Sequence, residues 1–182
     1  MPDSHFDARR TPGQGKYARP EVERRFRVTD DPGPGEAEWR IEDRYLDGLW
    51  MRLRRVAQGD VVVHKLTQKV RGDEQDPATV SLTTMYISAE EHAVLAELPG
   101  AILVKVRRLH PIDTSWLAVD TFLGALEGLL LAEVEVTSLD DDLALPAWIG
   151  DEVTHDDRFS GGLLARATPD DIAALLSSPR TR

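Results

Sequence analysis

Charged side chains spaced two residues apart recur along this chain. Glu21, Glu23 and Arg25 form one such set, Arg52–Arg54, Lys105–Arg107 and Glu133–Glu135 form three more, and Lys65 and Lys69, with Thr67 between them, extend the pattern to a fifth. On a β-strand, residues two apart share a face, so each set marks a strand with one charged face. The opposite faces are apolar, as in Val22, Phe26 and Val28 or Ala132, Val134 and Val136. One strand of this kind is ordinary, with its charged face in water and its apolar face on the core. Five of them constrain the fold further, because each carries mostly one sign, with Glu on the first and last strands and Arg or Lys on the middle ones. In a closed barrel such faces converge on a lumen, while the apolar faces pack outward against helices and loops.

The remaining signals agree. Strand-like runs cover residues 21–28, 40–46, 49–57, 61–70, 79–87, 102–109, 116–122 and 129–137. Gln58-Gly59-Asp60 reads as a hairpin turn, and another turn is expected near Pro111. Ser88 followed by Glu91 is a capping-box spacing, and the helix it starts should end before Pro99-Gly100. A short helix is expected at 146–149. A C-terminal helix is expected at 169–176, with Thr168 as its N-cap and Pro169 at its first position. The expected class is α+β, mainly β: an eight-stranded antiparallel closed barrel with a few peripheral helices. The 182 residues suit one domain, 20–182, behind a flexible arm, 1–19.

The formal net charge of −10 argues against a nucleic-acid partner. It conceals an uneven distribution, with eight Arg/Lys against four Asp/Glu between residues 40 and 71, and nine Asp/Glu with no Arg/Lys between 133 and 157. The chain has no cysteine, which excludes thiolate chemistry and fits a reducing, cytoplasmic setting. No run of 18 apolar residues suggests a membrane span, and residues 1–10 lack the apolar stretch of a signal peptide. A lumen with a carboxylate wall and a basic wall suits one ligand class. Carboxylates bind hard divalent cations, and arginine and lysine bind phosphate oxygens. The expected ligand is a metal-bound polyphosphate.

These residues resemble the CYTH family, the triphosphate tunnel metalloenzymes. Its Glu-x-Glu-x-Lys signature is met by Glu21-Val22-Glu23-Arg24-Arg25. Arg52-Leu53-Arg54, Lys65, Lys105-Val106-Arg107, Val119 to Gly124, Leu131 to Glu135 and Asp151 to Phe159 follow in the family's order. The resemblance covers residues 18–166 and implies an eight-stranded tunnel that acts on triphosphates with Mg²⁺ or Mn²⁺. It implies metal-side carboxylates at Glu21, Glu23, Asp120, Glu133 and Glu135, with Glu21 or Glu23 positioning the attacking water. Arg25, Arg52, Arg54, Lys65, Lys69, Lys105 and Arg107 would hold the phosphate chain. Inorganic tripolyphosphate is the simplest substrate. A non-catalytic binder of polyphosphate or a phosphorylated metabolite, and an adenylate cyclase, are the alternatives, and the oligomer could be monomer or homodimer.

Three features depart from the family pattern. Arg25 stands where the signature has lysine, and arginine does not readily give up a proton. The fifth strand reads Ser81-Leu82-Thr83-Thr84-Met85-Tyr86-Ile87, without the glutamates that active members often carry, a form like that of a divergent bacterial branch. Lys65-Leu66-Thr67-Gln68-Lys69 carries a second lysine that bears on substrate preference.

Other candidates have plainer readings. None of His5, His64, His92, His110 and His155 pairs with another at ligand spacing, and His155 fits a surface turn. Asp140-Asp141-Asp142 lacks the alternating pattern of a calcium loop. Gly161-Gly162 suits a mobile turn near the tunnel mouth, and the four tryptophans suit the barrel's outer face. Arg108 should point away from the lumen.

Overall fold

The structure is a computed structural model, which describes residues 12–14, 16–71, 79–113 and 115–177. Most of the arm expected at 1–19, with His5, lies outside the described residues. Nine strands form one sheet: β1 (Arg19–Val28), β2 (Ala37–Leu46), β3 (Met51–Gln58), β4 (Val61–Arg71), β5 (Thr79–Ile87), β6 (Gly100–Ile112), β7 (Ser115–Phe122), β8 (Leu130–Glu135) and β9 (Ile149–Glu152). The order is β5-β4-β3-β2-β6-β7-β8-β1-β9, and β1 also pairs with β5. Eight antiparallel strands therefore close into a barrel, with β9 outside the ring. Closure removes the exposed sheet edge that an open sheet of this size would carry.

β1 is the seam. Its first half, Arg19 to Val22, pairs with β5, and Glu23 to Arg27 pair with β8 on the other edge. Where β5 has left that edge, β9 takes its place beside Phe26 and Val28. This corrects the helix expected at 146–149, where a turn leads directly into β9. The pairing partner is remote in sequence, so nothing local signals the strand.

The turn at Gly59-Asp60 joins β3 to β4 as expected, with Gln58 opposite Val61. Gly59 has φ +55°, a left-handed conformation that glycine adopts without a Cβ penalty. The turn expected near Pro111 lies slightly later. β6 continues through Pro111 to Ile112, which pairs with Ser115, and Asp113 takes φ 42°.

Three helices decorate the barrel: α1 (Ala89–Leu95), α2 (Gly161–Leu164) and α3 (Pro169–Ser177). The capping box of α1 is present, with Glu91 N–H donating to Ser88 Oγ at 3.1 Å and Ser88 N–H donating to Glu91 Oε2 at 2.7 Å. Thr168 caps α3, accepting from Asp171 N–H at 3.2 Å while its own N–H donates to the Asp171 carboxylate at 2.9 Å. Gly161-Gly162 opens α2 rather than forming a turn.

Two apolar clusters hold the molecule together. Outside the barrel, Phe26, Val28, Leu117, Val119, Ala132 and Val134 pack beneath Leu143, Leu145, Trp148 and Ile149. At one end, the inward-facing Leu103, Phe122 and Leu131 meet Phe159, Leu164, Ile172 and Leu175, so α2 and α3 plug that end. Arg27 anchors the plug, donating from Nη2 to the Leu175 carbonyl at 3.2 Å. Of the tryptophans, Trp148 packs on the outer face, Trp50 and Trp116 are largely exposed, and Trp39 lines the lumen's far end.

Candidate active site

The strand registers bring the charged faces together. Arg25 lies opposite Glu133, and Glu23 opposite Glu135. Arg54 lies opposite both Asp43 and Lys65, and Arg107 opposite Asp120. Directly paired residues share a face, so the period-two sets all point inward. A central chamber of about 90 Å³ is lined by Glu21, Glu23, Arg25, Arg52, Arg54, Lys69, Lys105, Arg107 and Glu133, together with Tyr45 and Leu82. It opens past Tyr45, Arg52 and Lys69 into a cavity of about 660 Å³ between the β2–β3 turn and α2. On the other side, Arg54 and Arg107 also line a cavity of about 360 Å³.

The basic wall is built on buried carboxylates. Asp43 has 0% of its surface exposed and receives Arg54 bidentately, at 2.6 and 2.7 Å, with Arg52 at 3.6 Å. Burial alone would raise its pKa, but the two guanidiniums outweigh it and hold the value at about 2. Asp120, 1% exposed, accepts Lys105 at 2.5 Å and both arms of Arg107, at 2.7 and 2.6 Å. Burial pushes the Lys105 ammonium below its usual range despite Asp120. Glu133 bridges Arg25, at 3.0 Å, and Arg107. Burial works against its charge, but Arg107 and Arg25 keep it well below the usual carboxylate range. Fixed forks of this kind set guanidinium geometry before a ligand arrives. Arg52 Nε is buried without a hydrogen-bond acceptor, 3.6 Å from Asp43 Oδ1.

Glu21 and Glu23 differ from the other carboxylates. Their shared cation is Lys69, at 3.8 and 3.7 Å, and Glu23 also takes Arg25 at 2.5 Å. Burial raises the Glu21 carboxyl above its ordinary value, and Glu23, Glu133 and Glu135 raise it further. Glu135 sits exposed opposite Glu23. Carboxylates that repel one another beside open space have the donor chemistry a hard divalent cation requires. Asp120 and Glu133, by contrast, have their oxygens committed to Lys105, Arg25 and Arg107. Among the described residues, no group of three or more His, Asp and Glu is arranged to hold a metal ion.

The structure thus brings Glu21, Glu23, Arg25, Arg52, Arg54, Lys69, Lys105, Arg107 and Glu133 to one chamber, and puts Asp120 beneath it. Glu135, exposed opposite Glu23, is not part of that lining, and Lys65 lies in the far cavity. Arg108 points outward to Asp31 and Glu38, as expected. Asp43 and Tyr45 were not anticipated. Their signal was the inward period-two run Ile41-x-Asp43-x-Tyr45, in which a carboxylate falls among apolar positions. His64 and His92, 28 positions apart, have ring centroids 4.5 Å apart outside the site.

No family model matches the chain. The inorganic triphosphatase of Acetivibrio thermocellus is 36% identical over 72 residues, 40% of this chain and 45% of that protein. The match therefore spans less than half of that relative's length. The crystal structure of inorganic triphosphatase NE1496 superposes with a TM-score of 0.56 and 27% identity, covering 82% of this chain and 96% of that one. These likenesses are consistent with a CYTH domain. PH1819 of Pyrococcus horikoshii OT3, at TM-score 0.53 and 14% identity over 66% of this chain and 80% of its own, shares the fold alone. Within the barrel, the lumen faces Val80, Leu82, Thr84 and Tyr86 of β5 are free of carboxylates, as its sequence implied.

Proposed function

We propose that the chain hydrolyses inorganic tripolyphosphate in the barrel lumen with Mg²⁺ or Mn²⁺. The observation that carries this reading is the single chamber in which Glu21 and Glu23 face Arg52, Arg54 and Lys69. The likeness to inorganic triphosphatases supports it.

Phosphoryl transfer rests on positioning and charge stabilisation. Arg52, Arg54 and Lys69 hold phosphate oxygens. Asp43 and Asp120 keep the guanidiniums aimed. Glu21 and Glu23 would hold the cation, which when bound would offset carboxylate repulsion and polarise a phosphoryl oxygen. Either Glu21 or Glu23 orients the attacking water.

The test is phosphate release from tripolyphosphate, with and without each cation, by the native chain and by Glu23→Gln. The reading expects cation-dependent release that the substitution reduces strongly. Equal rates for the two proteins would sink it. The carboxylate-free lumen face of β5 favours a second reading, a polyphosphate binder, for which tight binding without turnover under any divalent cation is the signature.

A further inference from the structure

His64 and His92 are remote in the chain, yet their rings meet outside the barrel. Lys65 lines the lumen, so alternation along β4 turns His64 outward. His92 lies on α1, where the half-buried residues His92, Leu95 and Ala96 recur at i, i+3 and i+4 and turn one face to the barrel wall. Both ends of that helix are held. The capping box fixes its start, and Arg44 Nη1 donates to the Leu98 carbonyl just past its end at 3.4 Å. The two rings are therefore carried by a strand and an anchored helix rather than by loops, which is the support that a precise site needs.

The ring centres lie 4.5 Å apart, with the planes at 46°. A zinc-class ion takes an imidazole nitrogen at about 2.0–2.1 Å, so two rings on one ion have centres roughly 4.5–5 Å apart. The two backbones already stand at chelating distance. Among the described residues, neither ring has a hydrogen bond or an ion pair. Both are half-buried, so solvent reaches them. Among the described residues, no third imidazole or carboxylate is arranged with them, so water would fill the remaining positions of an ion bound there. The charged groups that act on the pair are Glu42 and Arg44 of β2, Arg55 of β3 and Glu90 of α1. They carry two charges of each sign, which leaves the donor atoms to decide what binds.

Those donors differ from the lumen's. Carboxylates and water suit Mg²⁺ and Mn²⁺, whereas imidazole suits Zn²⁺, Cu²⁺ and Ni²⁺. We propose that His64 and His92 form a second, exterior metal site, for Zn²⁺ or another imidazole-seeking divalent cation, that ties α1 to β4. An ion there joins the strand that carries Lys65 and Lys69 to the segment between β5 and β6. It stabilises the folded chain because the unfolded chain does not hold the two rings together. The site stands apart from the lumen and does not depend on what the lumen binds.

The test is titration calorimetry and thermal melting of the full chain with Zn²⁺, in excess Mg²⁺, which carboxylates take and imidazoles do not. His64→Phe and His92→Phe keep a ring in each place and remove its donor nitrogens. His92→Gln, a good helix former, repeats the test without a ring. Loss of an outer-shell partner already costs about 10–100-fold in metal affinity. Each histidine variant should therefore bind Zn²⁺ at least about tenfold more weakly, and lose the rise in Tm that Zn²⁺ gives the native chain. Glu21→Gln, in the lumen, should keep that rise. Melting curves without Zn²⁺ establish that the variants fold. The site is overturned if Zn²⁺ leaves the native Tm unchanged, if the rise survives in the histidine variants, or if Glu21→Gln abolishes it.

Discussion

Replacing Asp43 by Asn probes the foundation of the basic wall. The carboxylate is fully buried, receives Arg54 at 2.6 and 2.7 Å and lies 3.6 Å from Arg52. Its pKa is held at about 2 against an ordinary 3.8. A depressed carboxylate pKa contributes stability that is fully present above the unfolded value and is lost as pH falls through the folded one. The shift corresponds to about 2 kcal/mol above pH ~4, and leaving two guanidiniums without a counter-charge can take the loss to about 3–5 kcal/mol. For a chain of this length that is a fall in Tm of roughly 5–15 °C. Calorimetry and urea unfolding at pH 7, 4 and 3 measure it. The gap between native and variant proteins should be full at pH 7, slightly smaller at pH 4 and about 1 kcal/mol smaller by pH 3. Tripolyphosphate should raise the variant's Tm more than the native chain's, because phosphate replaces the missing counter-charge. An unchanged Tm at pH 7, or a gap that stays constant down to pH 3, would refute the reasoning.

Two further outcomes follow from the same geometry. A Cβ at Gly161 would lie 2.0 Å from Tyr45 Oη and 3.0 Å from its Cζ, so Gly161→Ala should cost about 1–3 kcal/mol by overpacking. Tyr45→Phe in the same chain should recover part of that loss, and a strictly additive double-mutant cycle counts against the contact. Glu21→Gln removes a charge that Glu23, Glu133 and Glu135 repel. The variant's cation-free Tm should be no lower than the native one, while the rise in Tm that Mn²⁺ gives the native chain should disappear; an undiminished rise would place the cation elsewhere.

What the sequence made legible follows the physics of strands. Period-two patterning fixes which side chains share a face, so the inward sets, the outward Arg108 and the closed barrel could all be read from spacing. The capping residues Ser88, Glu91 and Thr168 could be read because their partners lie within three positions. What depends on remote partners could not. β9 exists because β5 leaves the edge of β1, and the residues near Pro146 carry no trace of that vacancy. Which carboxylate answers which cation is likewise set by register. The resemblance puts Asp120 among the metal-side acids, and the pairing of β6 with β7 lays it under Lys105 and Arg107, a partnership that spacing alone does not show. Asp43 went unremarked because no charged neighbour at spacing two marks it, although its cross-strand partner is Arg54.

The most direct test of the lumen as the site of triphosphate chemistry is a crystal structure of the full chain with tripolyphosphate and Mn²⁺, the cation being located by its anomalous scattering. The account places Mn²⁺ against Glu21 and Glu23, and the phosphate chain against Arg52, Arg54 and Lys69. A chain bound outside the barrel, or an anomalous peak away from those glutamates, would contradict it.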